Sequence, residues 1–336
     1  MYMNMVRKLT VSALLFAGTA FASFAADFQT IAQGLYDGTL QKTIDGGLSD
    51  FAEELGFSVP QAAVQQNVYA EAFIGTIFPS VPPHFSFGVN AGLTHLNTEG
   101  LASAADALGI DGVDTSYYFP VFNADIRIGG IVLPFDIGVS FMKLDVSSLD
   151  SRSADFTADF FTFAVDARYA ILTDSVVSPA LSIGVGYSIN RGSFGAASDY
   201  ADVAIDYDVQ TLYAQLQLSK TLNIPVVKIG FTPFIGIRGV LSNYSNDWSW
   251  KLEGSGVEQV TDFLKSAGLS PVPATSGKGT ASGHFGEFAD IQPQIYGGLG
   301  FNLVVIQITA SISADLRHIG GDTNLWSGAV SLRFKL

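Results

Sequence analysis

The sequence predicts an all-β protein: a transmembrane antiparallel β-barrel of 10 to 12 strands with a short helical N-terminal plug or rim segment. Three observations predict this fold class: a chain that ends on an amphipathic strand, the same two-residue alternation along most of its length, and an apparent secretory signal in front of it. The final strand alternates between two faces, apolar Val330, Leu332, Phe334 and Leu336 and polar Ser331, Arg333 and Lys335.

Residues 1–25 are predicted to be a signal peptide that is cleaved after Ala25. Arg7 and Lys8 form a short positive region, residues 9–24 are apolar or small, and small residues stand at the minus-three and minus-one positions of the cleavage site. A retained membrane anchor is the alternative, but polar residues interrupt the apolar stretch. We therefore expect export through a cleaved N-terminal signal peptide to the outer membrane.

Composition favours a membrane barrel over a soluble enzyme. The chain has no cysteine, which excludes disulfides, thiol catalysis and thiolate metal sites. Charged residues make up only 14%, the mean hydropathy is +0.32, and yet no run after the signal reaches the roughly 18 apolar residues of a membrane helix. Strands closed into a barrel are then the remaining way to cross a bilayer, with outer-membrane lipid as the expected partner. The net charge of -14 argues against nucleic acid as a partner.

Eleven segments alternate as strands do. The clearest are 84–94, 180–190 and 305–316, in which every second residue is apolar and the residues between are small or polar. We expect the apolar faces to meet lipid and the polar faces to line the lumen. A β-sandwich also alternates, but Gly and Ser crowd the polar faces here, which favours a barrel. The remaining predicted strands are 68–78, 118–128, 135–146, 160–172, 209–222, 227–242, 290–302 and 325–336.

The connections between these strands are sharply unequal. Short connections at 129–134, 173–179 and 223–225 alternate with long ones at 97–116, 191–206 and 246–287. Bacterial barrels have short periplasmic turns and long outer loops, so this pattern also favours a barrel. Helical spacing inside two of the long loops, at 101–108 and 256–268, predicts short loop helices.

An odd strand count conflicts with the even number that such barrels have. Either a strand is hidden in residues 26–66, or one segment is misassigned, or the N-terminal stretch passes through the lumen. Ile44, Leu48, Phe51 and Leu55 have helical spacing, and Pro60 is expected to end the helix. The chain therefore divides into a signal peptide at 1–25, an N-terminal helical plug or periplasmic segment at 26–66, and the barrel at 67–336.

Three Asp-x-Arg triplets are the candidate functional residues, because alternation places both members of each on the lumenal face. They are joined there by Arg238, Lys228, Asp136 and three glutamines, at 217, 292 and 294. A charge facing lipid costs about 2–4 kcal/mol for Arg or Lys, so lumenal placement is expected. Two roles stay open, bracing of the wall and a solute-selective constriction, and bracing is favoured. The candidates are Asp125, Arg127, Asp166, Arg168, Arg238, Asp315 and Arg317.

No catalytic, cofactor or metal site is predicted. The four histidines are dispersed, no pair has metal-ligand spacing, and no local motif presents a nucleophile with its base. Trp248, Trp250 and Trp326 are expected in the aromatic belt at the outer rim. A sugar-stacking platform is the alternative for the first two.

The signal peptide, the helical N-terminal segment and the amphipathic terminal strand together resemble outer-membrane transport barrels, most nearly the plugged fatty-acid transporter type. The sequence departs from that type in three ways: it has no Asn-Pro-Ala stretch after the signal, its lumenal face is polar, and it ends on Leu336 instead of phenylalanine. No binding residue is therefore carried over from the resemblance.

These features predict a non-enzymatic channel or transporter for small solutes, with its lumen restricted by the N-terminal segment. The alternative is a non-conducting surface-exposed barrel whose long loops bind a host or cell-surface partner. In either case the C-terminal strand is expected to engage the barrel assembly machinery.

Overall fold

The computed structural model describes residues 28–66, 68–74, 84–108, 114–130, 134–150, 155–197, 200–224, 229–286, 291–317 and 325–335. The predicted signal peptide lies outside these residues, so its cleavage stays a prediction.

Ten antiparallel strands form a closed barrel. Each wall strand bonds to the next, and the last strand pairs with the first through nine residue pairs, from Ser86 with Lys335 to Thr94 with Ser327. The wall strands are β1 (His84–Asn97), β2 (Ser116–Gly129), β3 (Phe135–Asp150), β4 (Asp155–Leu172), β5 (Ala180–Ala197), β6 (Ala201–Ser219), β8 (Ile229–Leu252), β10 (Gln292–Leu303), β11 (Ile306–Asp315) and β12 (Trp326–Lys335).

Two further strands lie beside the wall. The short β7 (Leu222–Ile224) pairs with the start of β8, and β9 (Ser276–Gly283) pairs with the far end of β8. The short connections lie where β1 begins and β12 ends, and we call this the inner end of the barrel. The long connections between β1 and β2, between β8 and β10 and between β11 and β12 lie at the other end, the outer end. There β5 and β6 are joined by residues 198–200 alone, so the long connection predicted at 191–206 is wrong, because most of those residues pair as extensions of the two strands.

The two faces of the wall have opposite chemistry. Outward side chains such as Val89, Ile126, Ile183, Ile237 and Ile312 are apolar and exposed, whereas the lumenal side chains are largely small, polar or charged and buried. An apolar outer band with a polar interior is the pattern of a barrel solvated by lipid. The predicted fold class is therefore confirmed.

The predicted strand at 68–78 is wrong. Residues 68–74 form no strand and lie inside the barrel, and residues 75–78 fall outside the described part of the chain. Each of the other predicted strands overlaps a strand of the wall, which leaves an even number. The chain bends at residues 70–72 and bonds to side chains of the wall, so the alternation of its sequence does not mark a strand here.

Four helices accompany the barrel, and among the described residues none is both long enough and apolar enough to cross a membrane. The two loop helices lie where the sequence predicts them. The helices are α1 (Phe28–Asp37), α2 (Thr39–Gln66), α3 (Glu99–Ala107) and α4 (Gly254–Ser266).

Helix α2 lies inside the barrel and not on its rim. Near its N-terminal end, Asp45 meets Trp250 at the outer end of β8, and near its C-terminal end Gln65 bonds to Ser311 in β11. The helix therefore runs from the outer end towards the inner end. Pro60 does not end it, because the lumen wall packs against the turns on both sides of the proline.

Candidate functional site

The lumen is filled by α2 and residues 68–74, and α1 packs against the loop helix α4; we call residues 28–66 and 68–74 together the plug. Residues 68–74, the strap, follow α2 and continue it towards the inner end. Most polar contacts between the plug and the wall lie at the level of the strap and the last turns of α2, which we call the inner half of the lumen.

A buried ion network joins three neighbouring strands of the wall. Arg127 in β2 bonds to Asp136 in β3 and to Asp166 in β4, where its Nη2 lies 2.5 Å from Oδ2. Arg168 in β4 bonds back to Asp136, with Nη2 2.7 Å from Oδ2. All four side chains are buried, so the charges neutralise one another out of contact with solvent. Arg127, Asp166 and Arg168, which belong to two of the predicted Asp-x-Arg triplets, are thus linked with Asp136 in one network.

Gly138 makes this network possible, since it stands between Arg127 and Asp166 in the strand register. A Cβ at this position would lie 2.4 Å from Arg127 Nη2 and 2.6 Å from Asp166 Oδ1. The ion pair therefore spans a whole strand because the intervening residue has no side chain.

Arg333 in β12 forms a second bridge, across β1. Its Nε lies 3.3 Å from Asp125 Oδ2, and its Nη2 donates to Asn90 Oδ1 at 2.7 Å. Gly88 is the residue crossed, and a Cβ there would meet Arg333 Cγ at 2.4 Å. In both bridges, a glycine on the intervening strand leaves room for an ion pair between the two flanking strands.

Tyr69 of the strap lies among three guanidinium groups of the wall. The Cζ atoms of Arg333, Arg127 and Arg168 lie 3.8, 4.6 and 5.3 Å from the centre of its ring. Its hydroxyl donates to Asp125. Cation–π contacts of this kind contribute about 0.5–2 kcal/mol each when desolvated. Tyr69 therefore connects the two bridges of the wall to the plug.

The backbone of the strap bonds to wall side chains along its length. Three wall donors reach carbonyl oxygens of the strap, and two strap amides donate to wall oxygens. The pairs are Arg333 to Val68 O at 3.0 Å, Gln217 to Tyr69 O at 2.7 Å, Arg168 to Glu71 O at 2.7 Å, Ala72 N to Ser219 Oγ at 2.8 Å and Ile74 N to Asp136 Oδ2 at 2.8 Å.

Glu71 supplies the carboxylate of the strap. It accepts from Gln307 Nε2 at 2.8 Å and from Lys335 Nζ, and Lys335 also donates to Asn302 Oδ1 at 2.9 Å. This cluster lies at the inner end, where β10, β11 and β12 meet. Glu71 and Lys335 thus form an ion pair between plug and wall at that end.

Arg238 in β8 is held by the plug and by an aromatic ring. Its Nη1 donates to Val64 O at 2.8 Å, its Nη2 to Gln65 Oε1 at 2.9 Å, and its Cζ lies 4.5 Å from the ring centre of Tyr296. Its Nε is buried with no acceptor among the described residues, and no carboxylate of those residues forms an ion pair with it. Arg238 is thus a buried cation whose acceptors belong to the plug.

The third predicted triplet lies apart from the network. Asp315 is buried, but Arg317 is one third exposed, and its Nε is 4.0 Å from Asp315 Oδ1. The guanidinium of Arg317 instead lies over Phe57 of the plug, 5.8 Å from the ring centre. This pair therefore contacts the plug but does not join the ion network of the other two triplets, and Lys228 lies outside the described residues.

The outer half of the lumen, around residues 31–59 of the plug, is apolar. Trp248 and Trp250 point inwards there, and Trp250 Nε1 donates to Asp45 Oδ1 at 3.0 Å. Their predicted place in the lipid belt is wrong, although Trp326 does face outwards and lies against Tyr118. The buried core of this half includes Ile31, Ile44, Leu48, Leu55, Phe119, Phe160, Tyr207, Val260 and Leu264.

An open cavity of about 720 Å³ lies at the outer mouth, between α2, α3 and the end of β1. Asp50, Glu54 and Glu99 contribute carboxylates to its lining, with Lys42 and Asn97 beside them. The described residues contain no group of three or more side chains placed to hold a metal ion.

Four contributors to the inner half were not among the predicted site residues. Tyr69 and Glu71 were assigned to a wall strand, and Arg333 and Lys335 were noted only as the polar face of the last strand. A usable signal existed for the last two, because two inward cations on one strand need acceptors in the lumen.

A closed antiparallel barrel with an apolar outer surface and a polar lumen defines the class of protein: an outer-membrane-type β-barrel. No family model and no curated protein matches the sequence. Solved structures of similar fold do match.

Three solved barrels illustrate the similarity. The outer membrane protease OmpT from Escherichia coli has 9% identity and a TM-score of 0.39, with 76% of this chain and 96% of that chain covered. The translocator domain of the autotransporter NalP from Neisseria meningitidis has 10% identity and a TM-score of 0.34, covering 75% and 88%. Neisserial surface protein A has 12% identity and a TM-score of 0.25, covering 75% and 96%.

The similarity is one of general barrel architecture and does not support the fatty-acid transporter type. These structures include a protease, a translocator domain and a surface protein. The similarity therefore does not indicate whether this protein is an enzyme. Function has to be argued from the lumen itself.

Proposed function

We propose that this protein is an outer-membrane channel or transporter for small solutes, closed by its own N-terminal plug. The observation that carries the proposal is that the wall of the inner half is polar and that many of its buried donors end on the plug. Under this proposal the chain reaches the outer membrane through cleavage after Ala25, and its partners are outer-membrane lipid, a small solute and, through β12, the barrel assembly machinery.

A polar contact surface suits a plug that moves. Each hydrogen bond between plug and wall contributes about 0.5–1.5 kcal/mol net, because water replaces it when the plug leaves. An apolar contact surface offers no such replacement, since its exposure to water is unfavourable throughout. Arg168, Gln217, Arg238 and Gln307 all donate to the plug, so displacement leaves them facing water rather than an empty apolar cavity.

The direct test is conductance in planar lipid bilayers. We expect the full chain to conduct little and a variant lacking residues 28–74 to form a steady open pore. Circular dichroism with a β spectrum and heat-dependent migration in gels establish that the shortened barrel is folded.

A second variant keeps the plug and weakens its hold. Tyr69→Ala removes the ring that three guanidinium groups contact, so we expect brief openings more frequent than in the full chain. The exposed turn variant Val176→Ala, whose side chain is 99% exposed, is the matched control and should behave as the parent. Silence of both the shortened barrel and Tyr69→Ala, with each folded, would contradict the channel.

A non-conducting surface protein is the second candidate, and the length of the wall favours it. Strand β8 has 24 residues and β6 has 19, whereas a tilted strand crosses a bilayer in about 9–11. The excess projects beyond the outer end together with β9 and α4. Under this alternative, all variants stay silent and replacement of residues 254–283 by a short linker abolishes attachment to a cell-surface partner.

A further inference from the structure

We infer that the inner half of the lumen is an anion-selective constriction, and that the end of the plug occupies the place of an anionic solute. This inference rests on the proposed channel function and names the class of solute, which the proposed function leaves open. It is carried by the way charges are divided between wall and plug.

Three acidic groups of the wall in this region are already neutralised by the wall, and a fourth, Asp315, is in register with Arg238 through Gln294 and lies 4.0 Å from Arg317. Asp136 and Asp166 are bonded to Arg127 and Arg168, and Asp125 is bonded to Arg333. These carboxylates therefore offer little negative charge to a passing ion.

The cationic groups of the wall, by contrast, also donate hydrogen bonds to the plug. Lys335 has Glu71 of the plug as its carboxylate, and Arg238 has only oxygens of the plug as acceptors. Arg168 and Arg333 each donate one further hydrogen bond to a backbone carbonyl of the plug. Four cationic side chains thus point donors at the same segment.

The plug presents electronegative atoms to all four. Val64 O and Gln65 Oε1 come from the last turn of α2, where the helix dipole is negative, and they are followed by Val68 O, Glu71 O and the Glu71 carboxylate. A series of carbonyl and carboxylate oxygens held by guanidinium and ammonium groups is the arrangement that a carboxylate or phosphate ester would adopt.

Displacement of the plug leaves these donors without their acceptors. Arg238 and Lys335 then have no carboxylate partner among the described residues, and the buried Nε of Arg238 lacks an acceptor even with the plug in place. Rings of Arg and Lys select anions in pores, because a fixed charge sets the sign of the ion that enters. Small carboxylated or phosphorylated solutes fit this chemistry.

The acidic cavity at the outer mouth acts in the opposite sense. Among the residues that line this cavity, Asp50, Glu54 and Glu99 carry negative charge and Lys42 carries positive charge, so this region attracts cations. It is open to solvent and is screened by salt over about 8 Å at physiological ionic strength, whereas the inner charges are buried and screened much less. The inner charges should therefore decide selectivity.

The test is the zero-current potential of the barrel lacking residues 28–74, measured across a KCl gradient. We expect a chloride permeability above that of potassium. The double variant Arg238→Gln and Lys335→Gln, made in the shortened barrel, should lower the chloride-to-potassium permeability ratio several-fold.

The matched control also removes two positive charges. Arg191 and Lys251 form exposed ion pairs on the outer part of the wall, and their side chains are 58% and 52% exposed. Arg191→Gln with Lys251→Gln should leave the permeability ratio unchanged. Inorganic phosphate, added as a probe, should slow chloride conductance in the shortened barrel but not in the Arg238→Gln, Lys335→Gln variant.

The outcomes separate this inference from the proposed function. A conducting but cation-selective pore, or a ratio that the double variant does not change, would overturn the anion constriction and leave the channel standing. If the shortened barrel does not fold, the same gradient is applied to openings of the full-length Tyr69→Ala variant. If neither the Tyr69→Ala variant nor the parent conducts, both the anion constriction and the channel function are overturned.

Discussion

The two halves of the lumen are filled by one continuous segment but held by different forces. In the outer half, Leu48, Leu55, Trp248 and Trp250 bury apolar surface between plug and wall. In the inner half, the strap contacts the wall through guanidinium groups, amides and carbonyl oxygens. Apolar packing is hard to reverse in water, whereas polar contacts are exchangeable. The inner end of the plug is therefore released more readily than the outer end, and opening of the whole lumen also requires the apolar contacts of the outer half to separate.

Labelling of single cysteines on intact cells gives the largest expected effect, since the result is all or none. The chain has no native cysteine, so each introduced thiol is unique. A membrane-impermeant maleimide should react with Gln33→Cys in α1, which is exposed at the outer end, and not with Val176→Cys in an inner turn. Reaction of the second thiol and not the first would mean that the two halves have been assigned to the wrong sides of the membrane.

Asp136→Asn should be the most destabilising single change. This carboxylate accepts from Arg127, Arg168 and the Ile74 amide, so its neutralisation leaves two buried guanidinium groups underpaired. A loss of about 3–5 kcal/mol is expected, seen as a lower unfolding temperature in detergent. Asp208→Asn, in an exposed pair with Arg191, is the control and should cost at most about 1 kcal/mol. Equal effects of the two variants would show that the network is not buried as described.

Leu55→Ala tests the apolar half. The side chain is fully buried between α2 and the wall, and its truncation should cost about 2–5 kcal/mol in denaturant unfolding. Val176→Ala, in an exposed turn, serves as control and should have no measurable effect. If Leu55→Ala also behaved like this control, the outer half could not be the anchor of the plug.

Tyr69→Phe should give the smallest and most local effect. It removes one hydrogen bond to a carboxylate, worth about 1.5–3 kcal/mol, and leaves the ring in place. The maleimide reaction rate of Ala72→Cys in the strap should then rise at least about tenfold, while that of Ala52→Cys in α2 stays unchanged. Both alanines are fully buried, so they are matched probes of the two halves. A parallel rise at both positions would show that the halves open together.

The wall could be predicted from sequence because lipid outside and a polar lumen inside impose the same two-residue period on every strand. Even the inward direction of Trp248 and Trp250 follows from that period, since they share the parity of Arg238, which the alternation predicts to face the lumen. The prediction of a lipid belt is wrong for these two residues because their residue type favours the belt, whereas their position in the alternation points them into the lumen. In the structure both indole rings pack in the buried core beside the plug, and Trp250 Nε1 donates to Asp45.

The site could be predicted only in part, because its contacts depend on register and on the plug. Arg127 meets Asp166 across Gly138, and Arg333 meets Asp125 across Gly88, and neither pairing can be obtained without the strand alignment. Tyr69 and Glu71 cannot be identified from sequence, because the alternation of residues 68–74 also fits a wall strand although the chain bends at residues 70–72 inside the lumen. Pro60 failed as a helix end because the surrounding wall supports the helix on both sides of it.

The direction of α2 has a consequence for how the molecule is assembled. The helix begins at the outer end, yet it is joined through the strap to the inner end of β1, so its first residues lie farthest from the side on which the chain enters the membrane. A ring that closed first would have to be threaded by 28 helical residues. Pairing of β1 with β12 as the final step removes that requirement, because an open sheet can curl around a helix already lying on its polar face. The seam from Ser86 with Lys335 to Thr94 with Ser327 is then the last contact to form, and the plug is the template around which the wall closes.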